Sequence, residues 1–379
     1  MYALVDSLVL HSGYSTLRLE SFLFTREAFE DIRARLKPNG VFAAYNFYRQ
    51  GWLVGRLMTM MTGVFGSRPL VMSFPYVARI APGDSQFDRI TFLLASVDSP
   101  VTRAIEQRLN ASPFWLNTAS QNNDGVDGFS AEPPLGPDAS PQSWQRIGLA
   151  TVEPRPAERL PTDDWPFLYL RDPIVPALNI RGILVIAVCA VAVLLAFAPA
   201  TRLAPNWRMF FMGAGFMLIE TKSVVHLALL FGSTWMVNSI VFFAILVMIL
   251  CSNLYVLVAR PVRVWPYYVL VVVSLLIGML IPIDAFLSLR GTARIAASCA
   301  VVFVPVFFAG IVFATTFRES REPDLDFGSN IAGAIVGGLT EALSLVLGFN
   351  GLLGVALVFY GLSWVLGRRP AVAAPAFTG

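Results

Sequence analysis

The stretch GFMLIETKSVVHLALLFGSTW (215–235) decides the fold class, because it is long and apolar enough to cross a lipid bilayer. Near its middle it carries three ionisable residues, Glu220, Lys222 and His226. A charged side chain at the bilayer centre costs at least ~2.5 kcal/mol. Such residues are therefore kept in a membrane segment for a structural or a functional reason.

The overall composition is typical of a membrane protein. Of the 379 residues, 56% are hydrophobic and only 14% are charged, and the net charge of +3 gives no indication of nucleic-acid binding. The three cysteines all lie in apolar segments and the two histidines are far apart in sequence, so neither a disulfide framework nor a metal site is predicted. The start, MYALVDSLVL, lacks the basic region of a signal peptide.

Long apolar stretches fill the chain from about residue 174 onwards, and they predict a transmembrane helical domain over 174–379. We expect about seven spans, at 179–199, 209–231, 234–259, 265–286, 296–317, 330–348 and 351–367. The lipid bilayer is therefore a predicted partner of the chain.

Residues 1–111 alternate between strand and helix patterns. Strand-like apolar runs occur at 2–10, 41–48, 70–77 and 88–96, and helix patterns occur at 25–36, 51–65 and 100–109. Thr25 is a candidate N-cap of the first helix, and Pro38-Asn39-Gly40 ends it. The alternation predicts a three-layer α/β sheet.

The α/β domain is followed by a flexible linker and a short connecting segment. Residues 112–145 are rich in Asn, Gly, Pro and Ser, a composition that does not bury a core. Residues 146–173 contain PTDDWPFLYL and lead into the membrane. The four predicted regions are thus 1–111, 112–145, 146–173 and 174–379.

The predicted sheet lacks the usual nucleotide-binding turn. A doubly wound sheet binds its nucleotide at a glycine-rich turn after the first strand, and residues 1–173 contain no such turn. The first strand would also leave an apolar edge uncovered. We therefore expect that the N-terminal part of the domain is missing, or that a partner chain supplies it.

Four stretches together resemble one family. They are YALVDSLVL…ESFLFTREAFEDIRARLKPNGVFAAYNF, PTDDWPFLYL, GFMLIETKSVVHLALLFGSTWMVNSIVF and SNIAGAIVGGLTEALSLVLGFNGL. They resemble multi-span bacterial spermidine synthase-like (polyamine aminopropyltransferase-like) membrane proteins. The resemblance implies a partial Rossmann-like (class I methyltransferase-type) α/β domain, followed by an all-α transmembrane bundle. It also implies the bacterial inner membrane, with the soluble domain in the cytoplasm.

The resemblance gives roles to residues that follow the first strand. Asp6 occupies the place of the catalytic Asp that helps to deprotonate the attacking amine, whereas Val9 replaces a second Asp that contacts the polyamine. The implied cofactor is decarboxylated S-adenosylmethionine, whose binding loop is not in this chain. His11, Tyr14 and Glu20 follow in a polar stretch and can line the same cleft, although plain loop polarity is the alternative interpretation.

The segment before the first span combines carboxylates with aromatic rings. Asp163, Asp164 and Trp165 suit a cationic polyamine through charge pairing and cation–π contact. The same residues, just before the membrane, also fit a structural hinge with Trp165 as an interface anchor. Both interpretations are open at this point.

Helical geometry separates the three ionisable residues of 215–235. Lys222 and His226 lie about 40° apart around a helix, whereas Glu220 lies about 160° from Lys222. Glu220 and Lys222 therefore need different partners. Glu341, midway along 330–348, is the predicted partner of Lys222 in a buried ion pair that locks the bundle.

Other residues of the predicted bundle bear on the same cluster. Gly333 and Gly337 form a GxxxG pattern that lets a neighbouring helix approach closely. Asn238 is placed to meet Glu220 or His226. The functional alternative to a structural lock is a polar pathway for protons or a cationic solute.

Two kinds of function are therefore predicted. The first is a spermidine synthase-like transferase that depends on an S-adenosyl nucleotide, with Asp6 as the base, and that acts only when its missing half is supplied. The second is a non-enzymatic membrane protein or transporter that binds polyamine or another cation through intramembrane Glu, Lys and His.

The arginines of the loops predict the opposite membrane orientation. In a seven-span bundle most of them lie on the face opposite the soluble domain. Because positively charged loops favour the cytoplasm, this distribution would place the soluble domain outside the cytoplasm, in conflict with the family resemblance.

Overall fold

The computed structural model describes residues 1–3, 19–74, 76–85, 89–97, 99–111, 114–117, 129–130, 144–153, 159–197, 205–231, 235–281, 285–286 and 289–367. Of the described residues, 68% are helical, and a small mixed sheet accompanies the helices. It divides into two compact units, Met1–Asp172 and Pro173–Gly379.

A four-stranded mixed sheet forms the centre of the first unit. Its strands are β1 (Tyr2–Ala3), β2 (Val41–Asn46), β3 (Leu70–Phe74) and β5 (Ile90–Ser96), whereas β4 (Arg79–Ile80) lies outside it. The strand order is β1-β2-β5-β3; β1 runs parallel to β2, and β5 runs antiparallel to both β2 and β3. The sequence pattern did not predict the direction of β5. No helix separates β3 from β5 in the described residues, so β5 returns beside β3 instead of crossing over.

Three helices accompany this sheet, and the sequence predicted each of them. They are α1 (Arg26–Arg35), α2 (Gly51–Phe65) and α3 (Ser99–Ala111). Thr25 caps α1, because its Oγ1 accepts a hydrogen bond from the backbone N–H of Ala28 at 3.3 Å. Asn39 then takes a positive φ of 64° in the turn that leads to β2.

The core of the first unit lies between α1, α2 and the sheet. Phe29 of α1 is fully buried, and Ile32 of α1 and Leu36, its C-cap, pack against the core. Burial of each such side chain contributes ~1.5–3 kcal/mol. The ring of Tyr2 on β1 lies edge-on to the ring of Phe42 on β2, with 5.2 Å between centroids. The ring of Phe65, the last residue of α2, stacks on the ring of Phe42 with 6.1 Å between centroids, so α2 packs against the sheet.

Part of the predicted linker is folded. Strands β6 (Phe114–Asn117), β7 (Phe129–Ser130) and β8 (Trp144–Ile147) form a small antiparallel sheet, and β9 (Thr151–Val152) pairs with β4. Apolar residues such as Phe114 and Trp144 interrupt the polar composition and give these segments strand character. The rest of the 112–145 stretch lies outside the described residues, so its flexibility stays a prediction.

The second unit consists of helices at all seven predicted positions. They are α4 (Ala177–Phe197), α5 (Trp207–Phe231), α6 (Trp235–Ala259), α7 (Trp265–Leu280), α8 (Thr292–Arg318), α9 (Pro323–Thr340), a 3₁₀ turn (Glu341–Leu343), α10 (Ser344–Leu347) and α11 (Phe349–Gly367). Five spans in the described part are long and apolar enough to cross a membrane: α5, most of α6, α8, Pro323–Leu347 and α11. Helix α7 is shorter, and so is Ala177–Val193, the part of α4 that precedes two residues whose side chains are not described. The chain is a membrane protein.

Small residues bring α5 and α9 into direct contact. A Cβ on Gly333 would collide with the backbone of Phe210, and a Cβ on Gly337 would lie 2.9 Å from the Cα of Ala214. The side-chain amide of Asn330 donates a hydrogen bond to the carbonyl of Met209 at 3.0 Å. The predicted close approach at Gly333 and Gly337 is confirmed, and α5 lies in the interior of the bundle.

Candidate functional site

The predicted catalytic region follows β1. Asp6, His11 and Tyr14 lie outside the described residues, and Glu20 belongs to a 3₁₀ helix (Leu19–Phe24) in which its side chain is not described. Their roles stay predictions. Tyr2, at the start of the region, is partly buried, and this burial, together with the carboxylate of Asp31, raises the pKa of its hydroxyl above the ordinary value.

The TDDW turn is held against the N-terminus of α1. The Oγ1 of Thr25 donates to a carboxylate oxygen of Asp163 at 2.7 Å, and the backbone N–H of Asp163 donates to Oε2 of Glu27 at 3.0 Å. The N–H of Arg26 donates to the carbonyl of Pro161 at 2.9 Å. A carboxylate is favourable at a helix N-terminus, so this geometry favours a structural role for Asp163.

Trp165 is completely buried, and its ring faces are close to the chain's own cations. The guanidinium carbon of Arg159 lies 4.8 Å from the ring centroid, and that of Arg56 lies 6.0 Å away. A polyamine would have to displace these cations to reach the ring. The structural interpretation of Trp165 is therefore favoured, whereas polyamine binding at Asp164 stays a prediction.

Arg56, which was not among the predicted site residues, fixes the segment that leads to the membrane. Arg56 lies in α2 and is only 3% exposed. Its guanidinium donates hydrogen bonds of 2.7–2.8 Å to the carbonyl oxygens of Leu168, Leu170 and Arg171. The signal was present in the sequence, because an arginine within the apolar stretch GWLVGRLMTMMTGVF needs buried partners.

In the membrane unit, Lys222 and His226 line one cavity. Its walls come from α5, α7, α8 and α11 and comprise Ile219, Lys222, Ser223, His226, Ser274, Leu275, Gly278, Val301, Val302, Pro305 and Leu353. Glu220 is not among these lining residues. This arrangement confirms the predicted separation of Glu220 from Lys222 and His226 around the helix.

The polar atoms of this cavity are unequally satisfied. His226 is 4% exposed, and its Nε2 has no hydrogen-bond partner among the described residues. Ser223 and Ser274 donate their hydroxyl protons to the carbonyls of Ile219 (2.6 Å) and Val271 (2.9 Å). Their oxygens keep acceptor capacity, so the cavity offers two acceptors beside an imidazole nitrogen.

The size of the cavity limits what it holds. The volume in which the centre of a water molecule can lie is about 30 Å³. One water needs ~10–15 Å³ by this measure, so the cavity accommodates water or a similarly small species. A polyamine does not fit in this arrangement of the helices.

The predicted partner of Lys222 lies close to α5. The hydroxyl of Thr221, next to Lys222 in sequence, donates to Oε2 of Glu341 at 3.4 Å. The Nζ of Lys222 lies 5.6 Å from the ring centroid of Phe349, which is a cation–π distance. The ion pair between Lys222 and Glu341 stays a prediction, as does the role of Asn238, which lies in α6 with its side chain not described.

Comparisons with protein-family models, with curated proteins and with solved structures find no match to this chain. No group of three or more His, Cys, Asp or Glu within the described residues is arranged to hold a metal ion. The functional proposals therefore rest on the residues and their geometry.

Proposed function

We propose that the chain is a spermidine synthase-like integral membrane protein with a transferase-type α/β unit. Its reaction would be aminopropyl transfer, or a related transfer, from an S-adenosyl nucleotide to an amine. Asp6 would act as the base that takes a proton from the attacking amine. The residues that hold the nucleotide would come from a segment outside residues 1–379.

The observation that carries this proposal is the order of the central sheet. β5 runs antiparallel between β2 and β3, and the other three strands all run in one direction. Mixed sheets, in which an antiparallel strand joins parallel ones, are common among doubly wound folds. The α1 helix also connects two adjacent parallel strands, β1 and β2, as a crossover helix does.

The sheet also indicates where the reaction would take place. Ligands of doubly wound sheets bind beyond the carboxyl ends of the parallel strands. β1 ends at Ala3 and β2 ends at Asn46, and the two strands run side by side in the register Tyr2↔Ala44. β1 therefore ends at the edge where such sites form, and Asp6 follows three residues later in the sequence.

Release of methylthioadenosine from decarboxylated S-adenosylmethionine and putrescine tests this function. We expect no nucleotide binding to the purified chain in calorimetry. Turnover should appear when the chain is expressed with the coding sequence upstream of it. Asp6→Asn should then lower the rate about 10²–10⁴-fold, the range for loss of a general base.

The exposed Asp31 provides a matched control, since its carboxylate pairs with Arg35 on the surface of α1. Asp31→Asn should leave the rate unchanged. An Asp6→Asn variant as active as the wild type, or an upstream sequence without a glycine-rich strand–turn–helix, would contradict the proposal.

A second candidate function is supported by the cavity beside His226, which has room for water in the interior of a membrane bundle. We infer a polar pathway for protons rather than for polyamines, because the cavity is too small for a polyamine. Proton flux into proteoliposomes, followed with an internal pH dye, tests this function. His226→Leu should reduce the flux at least about tenfold, and Ser298→Ala, at a buried serine outside the cavity, should not.

A further inference from the structure

A second cavity lies at one end of the membrane bundle. It has a volume of about 270 Å³ and is lined by Arg208, Val264, Trp265, Tyr268, Trp364 and Gly367. Arg208 is the second residue of α5, Trp265 is the first residue of α7 and Gly367 is the last residue of α11. Three helix ends therefore meet around this cavity, which places it at a membrane surface rather than at mid-depth.

Arg208 brings an uncompensated positive charge to the cavity. Within the described part of the chain its guanidinium makes no salt bridge, and its buried Nε has no hydrogen-bond partner. Asp326, at the same end of the bundle, instead accepts a hydrogen bond from the side-chain amide of Asn206 at 2.6 Å. An anion with several acceptor oxygens would satisfy the guanidinium donors.

The other walls fit the polar head of a lipid. Trp265 is 54% exposed, and the ring of Trp364 lies 5.5 Å from that of Tyr268. Aromatic rings of this kind are enriched at the level of lipid headgroups. α7 begins here without a side-chain cap, so its positive helix end adds to the field of Arg208.

We propose that this cavity is a binding site for a phosphate group, and that its natural source is the headgroup of an anionic phospholipid. The guanidinium of Arg208 donates to two phosphate oxygens, as its planar fork allows. Trp265 and Trp364 flank the glycerol portion. Basic pockets between transmembrane helices bind lipid headgroups in the same way.

Because residue 367 is a glycine, the side chain of Arg208 has room beside it to line the cavity. A Cβ on Gly367 would lie 2.7 Å from the Nε and 3.0 Å from the Cζ of Arg208. Gly367→Ala therefore displaces the guanidinium without changing the charge of the protein. This substitution separates a shaped site from simple charge attraction.

Native mass spectrometry of the full chain in neutral detergent, titrated with phosphatidylglycerol, tests the proposal. Arg208→Gln should weaken binding about tenfold, which is the loss of a charge-assisted hydrogen-bonding partner. Gly367→Ala should weaken it in the same direction, and Arg208→Lys should lie between Arg208→Gln and the wild type. Phosphatidylcholine should bind more weakly than phosphatidylglycerol to the wild type.

Arg263 is the matched control, because it is an exposed arginine in the loop that precedes α7 and does not line the cavity. Arg263→Gln should change the affinity less than about twofold. Equal losses for Arg208→Gln and Arg263→Gln would show diffuse attraction and overturn the proposal, as would an Arg208→Gln variant that binds like the wild type. Inorganic phosphate is the second probe. If phosphate binds saturably and its binding depends on Arg208, but phosphatidylglycerol does not bind, a phospholipid is not the natural ligand of the cavity.

Discussion

Arg56 shows how one buried side chain organises a segment that is distant in sequence. Its three backbone acceptors lie more than 110 residues further along the chain. The ring of Trp52, one helical turn earlier in α2, lies 4.8 Å from the guanidinium carbon. A buried charge with this many hydrogen bonds is fixed in one arrangement, because any loss leaves polar groups without partners.

Arg56→Met should therefore lower the free energy of unfolding of the first unit by at least ~1–3 kcal/mol, the usual cost of leaving a buried acceptor without its hydrogen-bond partner. Arg56→Lys should recover only part of this loss, since an ammonium lacks the guanidinium fork. Pulse proteolysis in urea measures both effects. Arg35→Met, which removes an exposed ion pair with Asp31, should cost less than ~1 kcal/mol. Comparable losses at both arginines would contradict the role given to Arg56.

At the scale of helices, α5 and α9 depend on glycine for their distance of approach. Gly333 and Gly337 face the backbone of α5, whereas a Cβ on the adjacent Gly338 would meet nothing within 4 Å. The three glycines thus provide test and control positions within one turn and a half of the same helix.

Gly333→Val should force the two helices apart and destabilise the bundle by ~1–3 kcal/mol or more, the usual cost of overpacking. Gly338→Val should have little effect, although it introduces the same side chain into the same helix. The unfolding temperature in detergent, read by size-exclusion chromatography after heating, distinguishes them. Equal unfolding temperatures for the two variants would contradict the close contact between α5 and α9.

The contact of α5 with the 3₁₀ turn after α9 gives a second test at this scale. If Lys222 and Glu341 form the predicted ion pair, Lys222→Met alone should destabilise the bundle because it leaves the carboxylate of Glu341 without its partner inside the membrane. Adding Glu341→Gln should restore part of the loss. A double-mutant cycle of unfolding temperatures measures the coupling, and additive losses would exclude the pair.

The membrane orientation concerns the whole molecule. Seven crossings that start from a cytoplasmic first unit would place the end of α11 outside the cytoplasm. Alkaline phosphatase fused after Arg369 should then be active, and a fluorescent protein at the same position should be dark. The opposite result would indicate an even number of crossings, and it would agree with the arginines of the loops.

Local patterns in the sequence predicted most of the elements. Helix α2 begins and ends at the predicted residues, 51 and 65, and apolar helices lie at all seven predicted positions. The separation of Glu220 from Lys222 and His226 also followed from helical angles alone. These features depend on residues within a few turns of one another, so periodicity is enough to find them.

The features that sequence analysis missed all depend on long-range contacts. The insertion of β5 between β2 and β3 is decided by pairing partners, and the strand pattern of β5 is the same in either direction. The acceptors of Arg56 and the cavity beside Arg208 bring together residues from distant parts of the chain. No single window of the sequence contains them.

The reach of the Arg56 hydrogen bonds has a consequence for how the protein is made. Its last acceptor, the carbonyl of Arg171, follows 115 residues later. At ~5–20 residues per second, roughly 6–23 s of synthesis separate the arginine from this partner. During that interval the guanidinium remains hydrated on an unfinished domain. The domain closes only as the first membrane helix begins to leave the ribosome, so its completion and membrane insertion fall in the same stage of biosynthesis.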